Sequence, residues 1–369
     1  MSLFNILKSI EAYEDLSFDA ELIAEYSQRF NHLSYSELPP IRFHLPTFKH
    51  YQSEELCCSG ANEWPSISIT GGACKLQCDH CKAKILEPMI PVTDSYALQG
   101  EVNRLIGLGA KGVLLSGGSN HRNEVDYSAF LPMIRKIKDE HPEFQIAVHT
   151  ALVDKTTALA MEQSGIDVAM FDVIGAQDTI RQVYHLRREV GDFEETLAAL
   201  SATSMRVVPH IVIGLHYGRL LGEWRALEML TDHRIDALVL VVVMPHYADV
   251  RRPFVQPDPV QVGSFFLDAR KALQDIPLIL GCARPAGRVK SIIDAYAVMA
   301  GLDGIAHPAD GAVTLASRLG RGYQVSHSCC SISTADPVSG LSQLGQVLSD
   351  TPLVAGRQEN DEQPIRWMR

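Results

Sequence analysis

Eight short apolar runs alternate along the chain with stretches whose apolar residues recur at helical spacing. The runs have strand length and are rich in Val, Ile and Leu, whereas stretches such as ALQGEVNRLIGLGA suit amphipathic helices. Strict alternation of strand and helix predicts a parallel sheet covered by helices. The predicted strands are SISIT (66–70), GVLLS (112–116), FQIAVH (144–149), VAMFDVI (168–174), RVVPHIVIG (206–214), ALVLVVV (237–243), IPLILG (276–281) and DGIAH (303–307).

The length of this alternating region favours a closed barrel over an open doubly wound sheet. A (β/α)₈ barrel typically needs about 250 residues, and residues 66–310 comprise 245. Residues 1–65 are then a mostly helical N-terminal extension, and residues 311–369 form a C-terminal extension. In such barrels the chemistry lies at the C-terminal ends of the strands.

Charge and hydropathy exclude several classes of function. Asp and Glu (44) outnumber Lys and Arg (33), and the net charge of −11 argues against nonspecific binding to a nucleic acid. The N-terminus lacks a basic region followed by an apolar core, and the run DALVLVVVMP is too short to cross a membrane. We expect a cytoplasmic protein that binds neither nucleic acid nor membrane.

Three cysteines follow the first predicted strand within one short loop, at Cys74, Cys78 and Cys81. Thiolates spaced C-x₃-C-x₂-C can each bind one iron of a cubane [4Fe–4S] cluster, which leaves the fourth iron open to a substrate. A structural zinc site usually has four protein ligands, commonly from paired C-x₂-C units. Because Asp79 or His80 could supply a fourth ligand, a zinc site or a passive electron-transfer cluster stays open as an alternative.

This loop resembles the cluster motif of the radical S-adenosylmethionine (SAM) superfamily, C-x₃-C-x-aromatic-C after the first barrel strand, with His80 at the aromatic position. The resemblance covers most of the chain. It implies a (β/α)₈ barrel and a [4Fe–4S] cluster whose open iron chelates the amino and carboxylate groups of SAM. It also implies reductive cleavage of SAM to a 5′-deoxyadenosyl radical.

Two further stretches resemble the SAM-binding regions of that superfamily. LSGGS (115–119) resembles the Gly-Gly-Glu motif, with Ser119 in place of the glutamate, which implies that Gly117 and Gly118 accept hydrogen bonds from the SAM ammonium group. HIVIGLHYG (210–218) resembles the G-x-I-x-G region behind the adenine, with Ile211 and Gly214 as the nearest matches. A glycine turn and a generic buried strand would produce similar sequences.

Polar residues at two other strand ends are candidates for contacts to SAM or substrate. His149 ends the third predicted strand, Thr150 follows it, and Asp172 lies near the end of the fourth. A structural hydrogen bond is an equally good explanation for each of them.

The remaining five cysteines are far apart in sequence, at Cys57, Cys58, Cys282, Cys329 and Cys330. The N-terminal and C-terminal extensions could bring them together as ligands of an auxiliary [4Fe–4S] cluster. Because successive side chains diverge in extended backbone, each adjacent pair is expected to give one ligand, with Ser328, Ser331 or a fourth cysteine completing the set. The alternative is that they are small buried hydrophobes.

The stretch LGCARPAGRVKSIIDAYAVMAGLDGIAHP (280–308) resembles the biotin synthase, thiamin-biosynthesis and hydrogenase-maturation branch. Together with ISITGGACKLQCDHCKAKIL and the Cys329–Cys330 pair, it is most similar to the two-protein lipoyl synthases. That resemblance implies sulfur insertion into an octanoyl chain on a carrier protein, with the auxiliary cluster as sulfur donor.

The same resemblance implies three partners: an octanoylated carrier protein, a second radical SAM subunit, and a reductant such as ferredoxin or flavodoxin. An acidic carrier would need a basic surface on this acidic chain. The candidate basic clusters are Arg187–Arg188, Arg251–Arg252, and Arg284 with Arg288 and Lys290. A two-cluster radical SAM enzyme acting on a small molecule is the alternative function.

Overall fold

The structure is a computed structural model that describes residues 2–29, 34–46, 51, 53–56 and 63–335. These residues form twelve β-strands and eleven α-helices. The strands are β1 (Ile41–His44), β2 (Ser66–Ser68), β3 (Ile90–Pro91), β4 (Gly112–Ser116), β5 (Gln145–His149), β6 (Val168–Met170), β7 (Arg206–Val207), β8 (His210–Ile213), β9 (Leu238–Val242), β10 (Leu278–Leu280), β11 (Gly304–Ala306) and β12 (Tyr323–Ser326).

The helices cover the outside of the strands. They are α1 (Leu3–Lys8), α2 (Ala20–Arg29), α3 (Ser95–Gly107), α4 (Leu131–Glu140), α5 (Lys155–Gln163), α6 (Gln177–Gln182), α7 (Val190–Ser201), α8 (Glu223–Thr231), α9 (Pro259–Ala272), α10 (Arg288–Met299) and α11 (Ala312–Arg318). In the described part of the chain, no helix combines the length and apolarity that a membrane crossing requires.

All strand ladders are parallel, in the orders β3-β2-β4-β5-β6-β7 and β8-β9-β10-β11-β1-β12. Only Val208 and Pro209 separate β7 from β8, and the backbone N–H groups of Val208 and His210 donate to Ala169 and Phe171 at 2.9 Å. The two ladders therefore join into one curved wall at this point. Proline can lie here because its missing N–H is not needed on the β6 side.

The eight strands predicted from the sequence are present, except that the fifth, 206–214, divides into β7 and β8 around Val208 and Pro209. The expected parallel α/β fold of TIM type is confirmed. The N-terminal extension contains helices α1 and α2 as expected, but it also contributes β1, which was not predicted. Strand β1 pairs with β11 and β12. The ring of strands runs from β3 at one edge to β12 at the other. Among the described residues, no ladder joins these two edge strands, so the ring is not closed there.

Alternate residues of each strand enter two different cores. Val148 and Leu240 belong to a large cluster that includes helix residues, whereas Ala147, Met170 and Val239 belong to a second cluster on the opposite strand faces. Because successive strand side chains point to opposite faces, the second cluster lies inside the barrel. We call it the inner core.

The inner core also receives residues from both ends of the barrel sequence. Trp64 is buried in it beside Gly112, where a Cβ atom would overlap the indole ring. Cys329 and Cys330, which follow β12, are buried in it as well. The segment that follows β12 therefore enters the barrel, whereas Tyr323 and Val325 of β12 itself are exposed.

A buried ion pair ties the loop after β10 to helix α10. Arg284 donates to both carboxylate oxygens of Asp294, at 2.6 and 2.9 Å, and both side chains are fully buried. The guanidinium also donates to the backbone carbonyls of Gly281 and His307, at 2.7 and 3.0 Å. The pair therefore fixes the ends of β10 and β11 relative to each other.

This burial corrects one of the basic clusters considered from the sequence. Arg284 cannot contribute to a docking surface, because it is enclosed and neutralised by Asp294. Arg188 is likewise engaged, in ion pairs with Glu124 and Asp192 at 3.0 Å. Arg187, Arg251 and Arg288 are exposed.

We predict that Asp294→Ala lowers the free energy of unfolding by about 3–5 kcal/mol, because it leaves the Arg284 charge buried without its partner. Urea unfolding followed by circular dichroism measures this loss. The control is Asp139→Ala, which removes the exposed partner of Arg135 and should cost less than about 1 kcal/mol. Equal, small losses in both variants would contradict the structural role of the buried pair.

Candidate active site

The three predicted cluster cysteines meet on the loop that follows β2. The Cys78 and Cys81 thiols are hydrogen-bonded to each other, and Cys74 is close enough to act electrostatically on Cys78. The hydrogen bond to Cys81, and then burial, raise the pKa of Cys78. The hydrogen bond from Cys78 and the nearby His80 lower the pKa of Cys81, although burial opposes this. The loop therefore presents three converging thiols, one of which is already biased toward the thiolate form.

A buried carboxylate in the same loop anchors it to the rest of the barrel. Asp79 is 1% exposed, and its side chain is bound by Lys82 at 2.9 Å, His185 at 3.0 Å, Arg252 at 3.0 Å and the Tyr217 hydroxyl at 3.1 Å. We call this set the Asp79 anchor. His185 follows α6, Tyr217 follows β8 and Arg252 follows β9. One side chain thus connects the cysteine loop to three other loops at the carboxyl ends of the strands.

The contacts of Asp79 decide whether its carboxylate could serve as the fourth ligand of a zinc site. Both carboxylate oxygens accept hydrogen bonds from the anchor. Burial raises the pKa of Asp79, but His185 and Lys82 hold it below its ordinary value. The imidazole of His80 is hydrogen-bonded to Cys81, and its ring centroid is 5.1 Å from that of Tyr184. Asp79 is therefore committed to the protein and is removed as the fourth ligand of a zinc site, whereas His80 keeps a buried Nδ1 atom with no hydrogen-bond partner among the described residues.

The glycine pair after β4 lies directly against the cysteine loop. A Cβ atom on Gly118 would be 2.5 Å from Cα and 2.6 Å from Cβ of Cys74. The Gly118 N–H donates to the Thr70 hydroxyl at 2.7 Å, and the Ser119 carbonyl accepts from the Lys75 N–H at 2.9 Å. Gly118 and Ser119 are thus next to Cys74, and only glycine fits at position 118. The expected role of Gly117, Gly118 and Ser119 in binding SAM stays a prediction.

His149 and Asp172 lie at the carboxyl ends of adjacent strands and are joined there by His210, which was not predicted. The His149 Nε2 and Asp172 Oδ1 atoms are 3.6 Å apart, and the His149 and His210 ring centroids are 5.5 Å apart. Thr150 instead gives its hydroxyl to the backbone carbonyl of Ala151 at 2.8 Å. A structural hydrogen bond therefore explains Thr150, and its hydroxyl is not available for SAM or substrate.

The two residues expected behind the adenine have different surroundings. Ile211 is buried in the cluster between strands and helices, on the strand face opposite to that of His210. This position does not support an adenine contact from inside the barrel. Gly214 has a φ of +78°, and a Cβ there would lie 2.6 Å from Pro257. Tight packing and left-handed backbone explain this glycine.

Three of the five other cysteines come together in the barrel. Cys329 and Cys330 are in the inner core, Cys282 packs against that core, and Cys282 acts electrostatically on Cys330. A hydrogen bond from Cys330, aided by Ser331 and opposed by burial, lowers the pKa of Cys329 to about 7. The Ser331 hydroxyl is 3.1 Å from the Cys329 sulfur. Cys57 and Cys58 lie outside the described residues.

Sequence reasoning missed the partners of Asp79 and the inward-facing His210. The strand register offered a signal for His210, because it lies two residues beyond the inner-core residue Val208 on the same face. No comparable pattern pointed to His185, Tyr217 or Arg252. They reach Asp79 from loops that are 106, 138 and 173 residues away in sequence.

Comparisons with known proteins give a fold but no close relative. No protein-family model matches the sequence, and no curated protein matches it. The likeness to solved structures shows an α/β fold of TIM type. Among solved structures, a HydG described as a maturase of the [FeFe]-hydrogenase matches with a TM-score of 0.56 and 11% identity, over 94% of this chain and 80% of that one. The methylornithine synthase PylB matches with a TM-score of 0.51 and 12% identity, over 84% and 82%.

We predict that Gly118→Ala displaces Cys74, because the added methyl group overlaps its Cα and Cβ atoms. The variant should retain about four fewer irons per chain than the wild type after anaerobic reconstitution, as measured by iron analysis. Gly72→Ala is the matched control in the same loop, since a Cβ there meets no atom within 4 Å. Full iron content in Gly118→Ala would show that the contact does not constrain the cysteine loop.

For the Asp79 anchor, we predict that Asp79→Ala lowers the free energy of unfolding by about 2–4 kcal/mol, because charged hydrogen bonds and ion pairs are lost from a buried carboxylate. It should also speed the loss of iron to a chelator. Asp249→Ala is the control, because Asp249 contacts Lys82 at 3.3 Å but is partly exposed. Identical iron loss in the two variants would refute the anchoring role of Asp79.

Proposed function

We propose that the protein is a radical SAM enzyme in which Cys74, Cys78 and Cys81 bind a [4Fe–4S] cluster. The observation that carries this proposal is the convergence of the three thiols at the carboxyl end of β2, against a glycine that admits no side chain. When bound, the cluster and SAM supply a 5′-deoxyadenosyl radical that removes a hydrogen atom from the substrate.

In this proposal the chain positions the cofactors and keeps the site dry. Gly118 allows the loop after β4 to contact the cysteine loop, and Asp79 holds the cysteine loop against the barrel. Tyr184 is buried beside His80 and close to Asp172. These side chains limit the access of water from that direction, which protects a reactive carbon radical from side reactions.

The more specific proposal is a lipoyl synthase subunit that inserts sulfur into an octanoyl chain. Sulfur insertion needs a sulfur source within bonding distance of the carbon radical. The grouping of Cys282, Cys329 and Cys330 supports an auxiliary [4Fe–4S] cluster as that source, with Cys57 or Cys58 as a further ligand. The lowered pKa of Cys329 favours the thiolate, which is the metal-binding form.

The proposed partners follow from this assignment. An octanoylated carrier protein would deliver the substrate, a second radical SAM subunit would share the two sulfur insertions, and ferredoxin or flavodoxin would supply electrons. The exposed Arg251 follows Asp249, whose backbone N–H donates to the Asp79 carbonyl. It is therefore a better docking candidate than the buried Arg284.

A two-cluster radical SAM enzyme acting on a polar small molecule is the second candidate. The observation that favours it is the group of polar side chains, His149, Asp172 and His210, that faces the barrel interior. An octanoyl chain offers nothing for these groups to bind along its length. The choice of substrate distinguishes the two candidates.

We predict that Cys282→Ala cleaves SAM at the wild-type rate under a strong reductant but forms no sulfur-containing product from an octanoylated lipoyl-domain peptide. Cys78→Ala should lose SAM cleavage, because one iron loses its thiolate. Liquid chromatography of 5′-deoxyadenosine and mass spectrometry of the peptide measure the two outcomes, with the second subunit present in every reaction.

Each outcome has a definite meaning. Full SAM cleavage by Cys78→Ala would overturn the radical SAM assignment. Product formation by Cys282→Ala would show that Cys282 is not needed as a cluster ligand and is a core-packing residue. Cleavage of SAM by the wild type without any change in the peptide would reject the lipoyl synthase and favour the small-molecule enzyme.

A further inference from the structure

Three metal-binding side chains converge inside the barrel, apart from the cysteines. His149 ends β5, Asp172 lies two residues after β6, and His210 begins β8. Each lies two residues beyond an inner-core residue in extended backbone, namely Ala147, Met170 and Val208. The alternation of strand side chains therefore directs all three toward the barrel axis.

The spacing of these side chains suits a single ion. One ligand atom from each residue can be chosen so that all three lie within 4.8 Å of one another. The His149 Nε2 and Asp172 Oδ1 atoms are 3.6 Å apart, a separation that is long for a hydrogen bond and matches two ligands on one ion with bonds of about 2.1 Å. All three residues are partly buried, so that an ion could reach them.

His210 also has an unused hydrogen-bonding and metal-binding atom. The Nδ1 atom of His210 is buried and has no hydrogen-bond partner among the described residues. Buried polar atoms in proteins are nearly always paired, so an unpaired one calls for an explanation. A metal ion bound between the three residues would explain why this site contains an unpaired polar atom.

We propose that His149, Asp172 and His210 form a binding site for one divalent first-row transition-metal ion, Zn²⁺ or Fe²⁺. Two imidazoles and one carboxylate are the ligand set of catalytic zinc sites and of non-haem ferrous sites. Three protein ligands leave at least one coordination position for an anionic or thiolate group of a substrate. None of its three protein ligands is a cysteine, and the site does not rest on the proposed function.

Co²⁺ is the probe for this site, because its visible d–d absorption reports nitrogen and oxygen ligands and its near-ultraviolet charge-transfer bands report thiolates. Full-length protein, reconstituted with iron and sulfide and then desalted, is titrated anaerobically with Co²⁺. We expect one Co²⁺ per chain without new thiolate charge-transfer bands. His149→Ala and Asp172→Asn should each weaken this binding at least about tenfold.

His141→Ala is the control, since it removes a histidine from the end of α4, where its ring contacts Asn103. It should leave Co²⁺ binding unchanged. Circular dichroism of each variant establishes that it is folded. Two site variants are used so that the test remains possible if one of them does not fold. Absence of binding in the wild type, thiolate charge-transfer bands, or equal binding in folded His149→Ala and Asp172→Asn would overturn the proposal.

Discussion

The carboxylate of Asp79 holds the cysteine loop in place, and the geometry of the candidate active site depends on it. The loop makes turn-type backbone hydrogen bonds, such as that from the Lys82 N–H to the Cys78 carbonyl at 3.0 Å, and side chains tie these turns to the rest of the barrel. Asp79 does this from the position between Cys78 and His80, by binding Lys82, His185, Arg252 and Tyr217. The three thiols are thus presented by a loop that four other side chains restrain.

The parallel barrel supplies the second constraint, because it collects the carboxyl ends of its strands on one side. The cysteine loop follows β2, the glycine pair follows β4, His149 ends β5, and Asp172 follows β6. His210 begins β8 and forms a parallel bridge to Asp172, which places it at the same level of the barrel. Below them the inner core is small and apolar, and Cys329 and Cys330 enter it from the C-terminal segment. One set of strand ends therefore carries the thiols, the glycine contact and an inward-facing polar group.

Local patterns predicted much of this structure. Runs of β-branched residues predicted the eight strands, and the spacing of Cys74, Cys78 and Cys81 predicted the candidate cluster loop. The strand β1 was missed because IRFH is four residues long and pairs only with β11 and β12, far along the chain. Arg284 was read as a surface charge because its partner Asp294 meets it only once α10 is packed. Such long-range pairs leave no trace in a local pattern.

The central claim is that Cys74, Cys78 and Cys81 hold a cluster that is distinct from the other cysteines. Anaerobic iron and sulfide analysis of the reconstituted wild type beside the triple Cys74/Cys78/Cys81→Ala variant tests it most directly. The account predicts about eight irons per wild-type chain and about four in the variant, since each cubane holds four. Zinc in place of iron, or an iron content that the triple substitution leaves unchanged, would contradict it.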